Sequence, residues 1–389
     1  MSPRFPLIFI ALLVGRLADA HEADVFNAVN LETGSGGLSS GGTSAPASLG
    51  TFNIVIQPGS TLASNGSALA AFQRAATSWA AYISDPVTIV IDADVHSFGA
   101  GQENIIGGAS SQLLIGGYSG IRDTLVADDT AGGGGSISSA LPTTSWGMNM
   151  QSLAGISFSG NVLLTKANAK ALGFSASMLD AIVGTTTDAT INFNSDFAFD
   201  YDRSDGISFG TIDFESVALH EIGHALGFIS QVDVADMVSG YADGVPYITT
   251  EQGNVPLTQL DLSTLDLFRL AAGSALASET DFTDAVRQLT PGEEAVFFDG
   301  VSLWSFSTGV ALGDGRQGSH WKDDGLTGTL IGAMDPTIGY GQSFALTDAD
   351  LRALDLIGYD VASLASVPEP GIWIMGALGA FVSMRRRRG

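Results

Sequence analysis

Hydrophobic positions first fall into a clear period at Phe52, Ile54 and Ile56, the alternation of a strand. Residues 67–83 switch to helical spacing, with Leu69, Phe72, Ala76, Trp79 and Ile83 on one face and a stop at Asp85-Pro86. Residues 87–91 (VTIVI) are β-branched throughout and predict a buried strand. The glycine-rich stretch 96–150 reads mainly as loops. Residues 165–173 predict a short helix, started by Thr165 and stopped by Gly173. In 189–199, Ile191, Phe193, Phe197 and Phe199 alternate with Asn192, Asn194 and Asp196, which predicts a half-exposed strand. A helix capped by Asp213 follows over 215–227. Further on, 262–273 (LSTLDLFRLAAG) reads as helix and Phe297-Phe298 as strand. Thr347 caps a last helix with Leu351, Leu354 and Ile357 on its apolar side. Strands and helices are mixed without an internal repeat, so the class is α+β.

Charge narrows the function. The 389 residues carry 41 acidic and 16 basic side chains, and six of the basic ones (Arg4, Arg16 and the four arginines at 385–388) lie in the terminal segments. So acidic a body is repelled by phosphate backbones, which excludes nucleic acid as a partner. Cysteine is absent, and with it disulfides, thiolate metal sites and cysteine nucleophiles. The glycines at 132–135 have no Lys or Ser/Thr after them in the spacing of a phosphate-binding loop.

The ends carry targeting patterns. Residues 1–20 combine a basic residue, an apolar stretch over 5–15 and Ala18-Asp19-Ala20, the layout of a secretory signal peptide. Residues 21–50 are rich in Gly, Ser and Thr and read as a flexible segment. At the other end, Pro368-Glu369-Pro370 precedes an apolar run over 371–384 and four arginines, too short for a stable membrane span of about 20 residues. The tail over 366–389 resembles the PEP-CTERM sorting signal of exported proteins in Gram-negative bacteria. That resemblance implies recognition by an exosortase-type processing enzyme, transient membrane association through the tail, and work at the cell surface, in the extracellular matrix or in secreted form.

The chemistry centres on 218–230, ALHEIGHALGFIS. Four residues along a helix make about 400° of turn, so His220 and His224 project from one face. Two such imidazoles can hold one zinc ion, and Glu221 beside them is placed to act as a general base on water attacking a carbonyl. A catalytic zinc needs a third protein ligand. Ser230, three residues past Gly227, is a poor one. His320, in GSHWKDD, is the one histidine downstream, and GAMDPTIGY follows with Met334 in a tight turn.

His220, Glu221, His224, Gly227, His320 and Met334 together resemble a metzincin zinc protease, and within it the leishmanolysin-like branch, where a long insertion (here 231–319) precedes the third histidine. The resemblance covers 51–365 in layout. It implies an N-terminal twisted sheet with the active-site helix, then a C-terminal subdomain with the methionine turn and a closing helix. It also implies one catalytic Zn2+ and a protein or peptide substrate. Two features depart from it. Pro336 stands where some relatives have a tyrosine, and Tyr340 reads as a surface or core residue rather than as its substitute. No cysteine is present for a latency switch.

Alternatives stay open at this level. An acidic third ligand, Asp233 or Glu251, would make a different zinc hydrolase. A metal-stabilised, non-catalytic surface or matrix protein would not need Glu221. Asp200, Asp202 and Asp205 are calcium candidates out of EF-hand register, and an acidic turn is the simpler reading.

Overall fold

The computed structural model describes residues 28–30, 51–131, 137–250 and 252–361. The expected signal peptide over 1–20, the segment 31–50, Glu251, the glycines 132–135 and the expected sorting tail with Pro368, Glu369 and Pro370 lie outside the described residues.

A four-stranded sheet orders its strands Asn53–Pro58, Thr88–His96, Ala189–Asn194 and Gly107–Ser111. The first three run parallel and the last, at the edge, antiparallel. Helices Gly66–Ala80 and Phe214–Leu226 pack on this sheet and on each other. The first begins where Asn65 accepts the Ala68 amide, 3.1 Å, and buries Ala68, Phe72, Ala75, Ala76 and Trp79 along one side. Its Trp79 indole donates to Leu219 O in the second helix, 3.0 Å. Phe193 of the sheet sits between Phe72 and Phe214, with ring centroids 5.3 and 4.3 Å away.

A second sheet pairs Leu113–Gly117, Ser157–Thr165 and Gln259–Ser263 with Ala28–Asn30. The third runs Leu303–Ser305, Ala295–Phe298, Arg269–Ala271, Arg287–Gln288 and Met150–Gln151. One hydrophobic core continues through all of this, from Trp79 and Phe193 to Phe297, Trp321 and Met334. The closing helix Asp348–Leu356 starts in a capping box between Thr347 and Asp350.

The class is mixed α and β, as expected, and three local readings are corrected. The stretch 96–150 holds strands Gly107–Ser111 and Leu113–Gly117 and the helix Tyr118–Ala131. Two of its glycines permit close packing: a Cβ at Gly116 would come within 2.7 Å of Ile121 Cδ1, and one at Gly107 within 3.0 Å of Val217 Cγ1. The helix expected over 262–273 is instead a strand end, a 3₁₀ turn Leu265–Phe268 and the strand Arg269–Ala271. Asp266 breaks the pattern by accepting Ser263 N and Gln231 N, at 2.9 and 2.8 Å, as a buried carboxylate. The strand expected over 189–199 stops at Asn194, whose buried amide donates to Ile105 O at 2.9 Å; as an inner strand it is not half-exposed.

Candidate metal centre

Helix Phe214–Leu226 begins where Asp213 accepts the Ser216 amide, 3.1 Å, and ends at Gly227 with φ of 124°. That backbone conformation favours glycine. It lets the chain turn sharply back, so that Phe228 N donates to Gly223 O at 3.0 Å.

His220 and His224 meet His320 across about a hundred residues of sequence. The three Nε2 atoms lie 3.0, 3.1 and 3.2 Å apart. Each Nδ1 faces a backbone carbonyl: Ala333 O at 2.9 Å for His220, Phe228 O at 2.7 Å for His224, and Gln317 O at 3.2 Å for His320. A carbonyl can only accept, so each Nδ1 carries the proton and each Nε2 keeps its lone pair. Burial holds the rings neutral. It lowers His220 to about 4 and His224 to about 3, His220 adding to the second, and it sets His320 well below the usual value. Three acceptors thus converge with no donor among them, a donor set that fits a cation. Ligands about 2.05 Å from a tetrahedral zinc stand about 3.3 Å apart, close to the spacing here. Glu221, 5% exposed, lies beside them.

The third histidine is held from behind. Asp233 accepts from Gly318 N at 2.5 Å, from Ser319 N at 3.2 Å and from the Ser319 hydroxyl. Ser319 Oγ in turn accepts Ser230 N at 2.8 Å. Ser230 therefore joins the end of the histidine helix to the loop of His320, while its own hydroxyl donates to Asp266 at 2.6 Å. Asp233, the acidic alternative for the third ligand, is engaged in this scaffold instead.

The turn at Met334 lies against the helix. Ala333 N and Met334 N donate to Asp350, at 2.8 and 3.3 Å, and so does the Trp321 indole, at 2.8 Å. Trp321 N also donates to Met334 O, 3.0 Å. A Cβ on Gly223 would stand 2.2 Å from Met334 Sδ, so that glycine permits the close approach. On the other side the edge strand crosses Glu221: a Cβ on Gly107 would meet Glu221 Oε1 at 2.9 Å.

His220, Glu221 and His320 line a cleft with Ile106 and Gly107 of the edge-strand side and Pro336 and Ile338 after the methionine turn. Tyr340 is 63% exposed and is not among its lining residues. Asp200 and Asp202 spend their carboxylates on local amides: Asp200 accepts Asp202 N and Ser208 N at 2.9 and 2.8 Å, and Asp202 accepts Ser204 N at 3.1 Å. With Asp205 they do not form a ligand group; among the described residues the carboxylates that converge are Asp323, Asp324 and Asp335.

Sequence reasoning missed the supporting roles of Asp233, Gly107, Gly223 and Asp350. Only the last left a signal, the Thr347-to-Asp350 spacing of a capping box. Comparisons with protein-family models, curated proteins and solved structures give no match for this chain.

Proposed function

We propose that this protein is a zinc-dependent endopeptidase of the metzincin type, resembling its leishmanolysin-like branch. The observation that carries the reading is the convergence of three neutral imidazole Nε2 atoms, 3.0 to 3.2 Å apart, beside the buried Glu221. His220, His224 and His320 would hold the metal. When bound, zinc supplies Lewis acidity, polarising a substrate carbonyl and acidifying a nearby water.

The chain's own residues do the rest. Glu221 takes the proton of the attacking water at a carboxylate oxygen and passes it to the leaving amine. The carbonyls of Ala333, Phe228 and Gln317 fix the three ring orientations. Among the described residues, strand Gly107–Ser111 has one neighbour in its sheet, so its other edge offers backbone groups to an extended peptide. Met334 and Asp350 keep the base of the site rigid.

From the terminal patterns we further propose export and exosortase processing of the tail. The decisive experiment for the chemistry is Glu221→Gln. It abolishes cleavage of a protein substrate while zinc content stays at the wild-type level; zinc loss in that variant would remove Glu221 from the role of base.

A further inference from the structure

The loop that delivers His320 also carries Arg316, the sole cationic side chain among those lining the cleft. Its backbone is fixed on both sides: Arg316 N donates to Asp314 at 3.2 Å, and Gly309 N donates to Arg316 O at 2.9 Å. The guanidinium is anchored at one corner. Arg316 Nε donates to Asp323 Oδ2 at 2.6 Å, and the side chain remains 43% exposed. Among the described residues, neither Nη group has a protein acceptor. A guanidinium has five donors in a rigid fork. Anchored through Nε, it presents the Nη edge to whatever enters the cleft.

Two carboxylates nearby are engaged elsewhere. Asp335, also in the cleft lining, accepts Asp324 N at 2.9 Å and Thr337 N at 3.0 Å. Asp323 spends its second oxygen on Gly325 N, 2.7 Å, and on the Thr337 hydroxyl, 3.3 Å. Asp323 and Asp335 are thus held by amides and hydroxyls of their own loops, and Asp323 serves as the counter-charge that holds Arg316 in position.

We propose that Arg316 is a specificity-determining residue that selects an acidic side chain, Asp or Glu, in the substrate residues flanking the scissile bond. The inference rests on the endopeptidase reading and adds its substrate class. In an otherwise strongly acidic protein, the cleft holds its cation where a peptide laid along the edge strand would pass His320. A carboxylate there gains two charge-assisted hydrogen bonds that the isosteric amide cannot match. A site built to hydrogen-bond one group discriminates strongly against an analogue lacking it.

The test uses matched peptides that differ only in Glu, Gln or Lys at each position within two residues of the cleaved bond. In the zinc-loaded wild type, kcat/KM for the best Glu peptide exceeds that of its Gln twin by about tenfold or more. In Arg316→Gln the ratio falls to about one, and in Arg316→Lys, which keeps the charge without the fork, it lies between. Binding of the same peptides to Glu221→Gln, read by fluorescence anisotropy, shows the same preference without turnover. Equal kcat/KM for Glu and Gln peptides in the wild type would overturn the proposal and leave the protease reading standing. Binding selectivity without any cleavage would do the reverse. Arg316→Gln that keeps the wild-type ratio also overturns it, and thermal melts of both variants establish that they are folded.

Discussion

Gly223, between the two histidines of the helix, offers the sharpest structural prediction. In an exposed helix, glycine to alanine stabilises by about 1 kcal/mol. Here the added Cβ would stand 2.2 Å from Met334 Sδ, 3.1 Å from its Cε and 3.4 Å from Trp79 Cζ2. Ordinary van der Waals contact begins near 3.4 Å, so the sulfur must retreat by roughly 1 Å or more. Met334 has no exposed surface and its turn is fastened to Asp350, which leaves it nowhere to go. Overpacking of this kind costs about 1–3 kcal/mol, enough to outweigh the helical gain. Gly223→Ala is therefore expected to lower the urea midpoint at unchanged m-value, measured with chelator present so that metal binding does not contribute. Met334→Ala alone costs about 2–5 kcal/mol by emptying the same space. The double variant should be more stable than the sum of the two predicts, by at least about 1 kcal/mol, because the new methyl occupies the vacated volume. If Gly223→Ala proves stabilising, or if the two changes add, Met334 does not lie against the helix and the reasoning fails.

Two further outcomes follow from the same geometry. Asp233→Asn should weaken zinc binding by about 10- to 100-fold, because the carboxylate fixes the Gly318 and Ser319 amides just before His320; unchanged affinity with intact circular dichroism would show that His320 is placed without it. Near the end of the described chain, burial raises Asp85 and Asp128 from 3.8 to about 7 and Asp355 to about 6, with repulsion from Asp360 adding at each. Raised carboxyls contribute stability that is full below about pH 4 and fades as pH rises through about 7, so Asp128→Asn should flatten the fall of melting temperature between pH 5 and 8. An unchanged slope would refute that assignment.

The elements legible in the sequence are those whose signals are local. Asp213 and Thr347 cap helices whose buried sides face the core, and Gly227 stops one of them with a positive φ. The strand Thr88–His96 shows itself by its β-branched run. The stretch 96–150 concealed its strands because Gly107 and Gly116 answer to Glu221 and Ile121, which lie elsewhere in sequence or in the next element. In 262–273 the spacing of leucines suits a helix, yet the buried Asp266 and Arg269 dictate turn and strand through partners such as Gln231 N and Gly318 O. The motif placed His220, Glu221 and His224 on one helix unaided. His320 stood out as the one histidine downstream of the helix, and the resemblance favoured it over Asp233, because no periodicity links positions so far apart. In the fold Asp233 accepts from the Gly318 and Ser319 amides of the loop that carries His320.

The central claim is that His320 completes a zinc site with His220 and His224. Zinc content of the purified full chain after exhaustive dialysis, wild type beside His320→Ala, tests it most directly. The account predicts one zinc per chain in the wild type and its loss in a variant that remains folded. A folded His320→Ala that keeps stoichiometric zinc would contradict it.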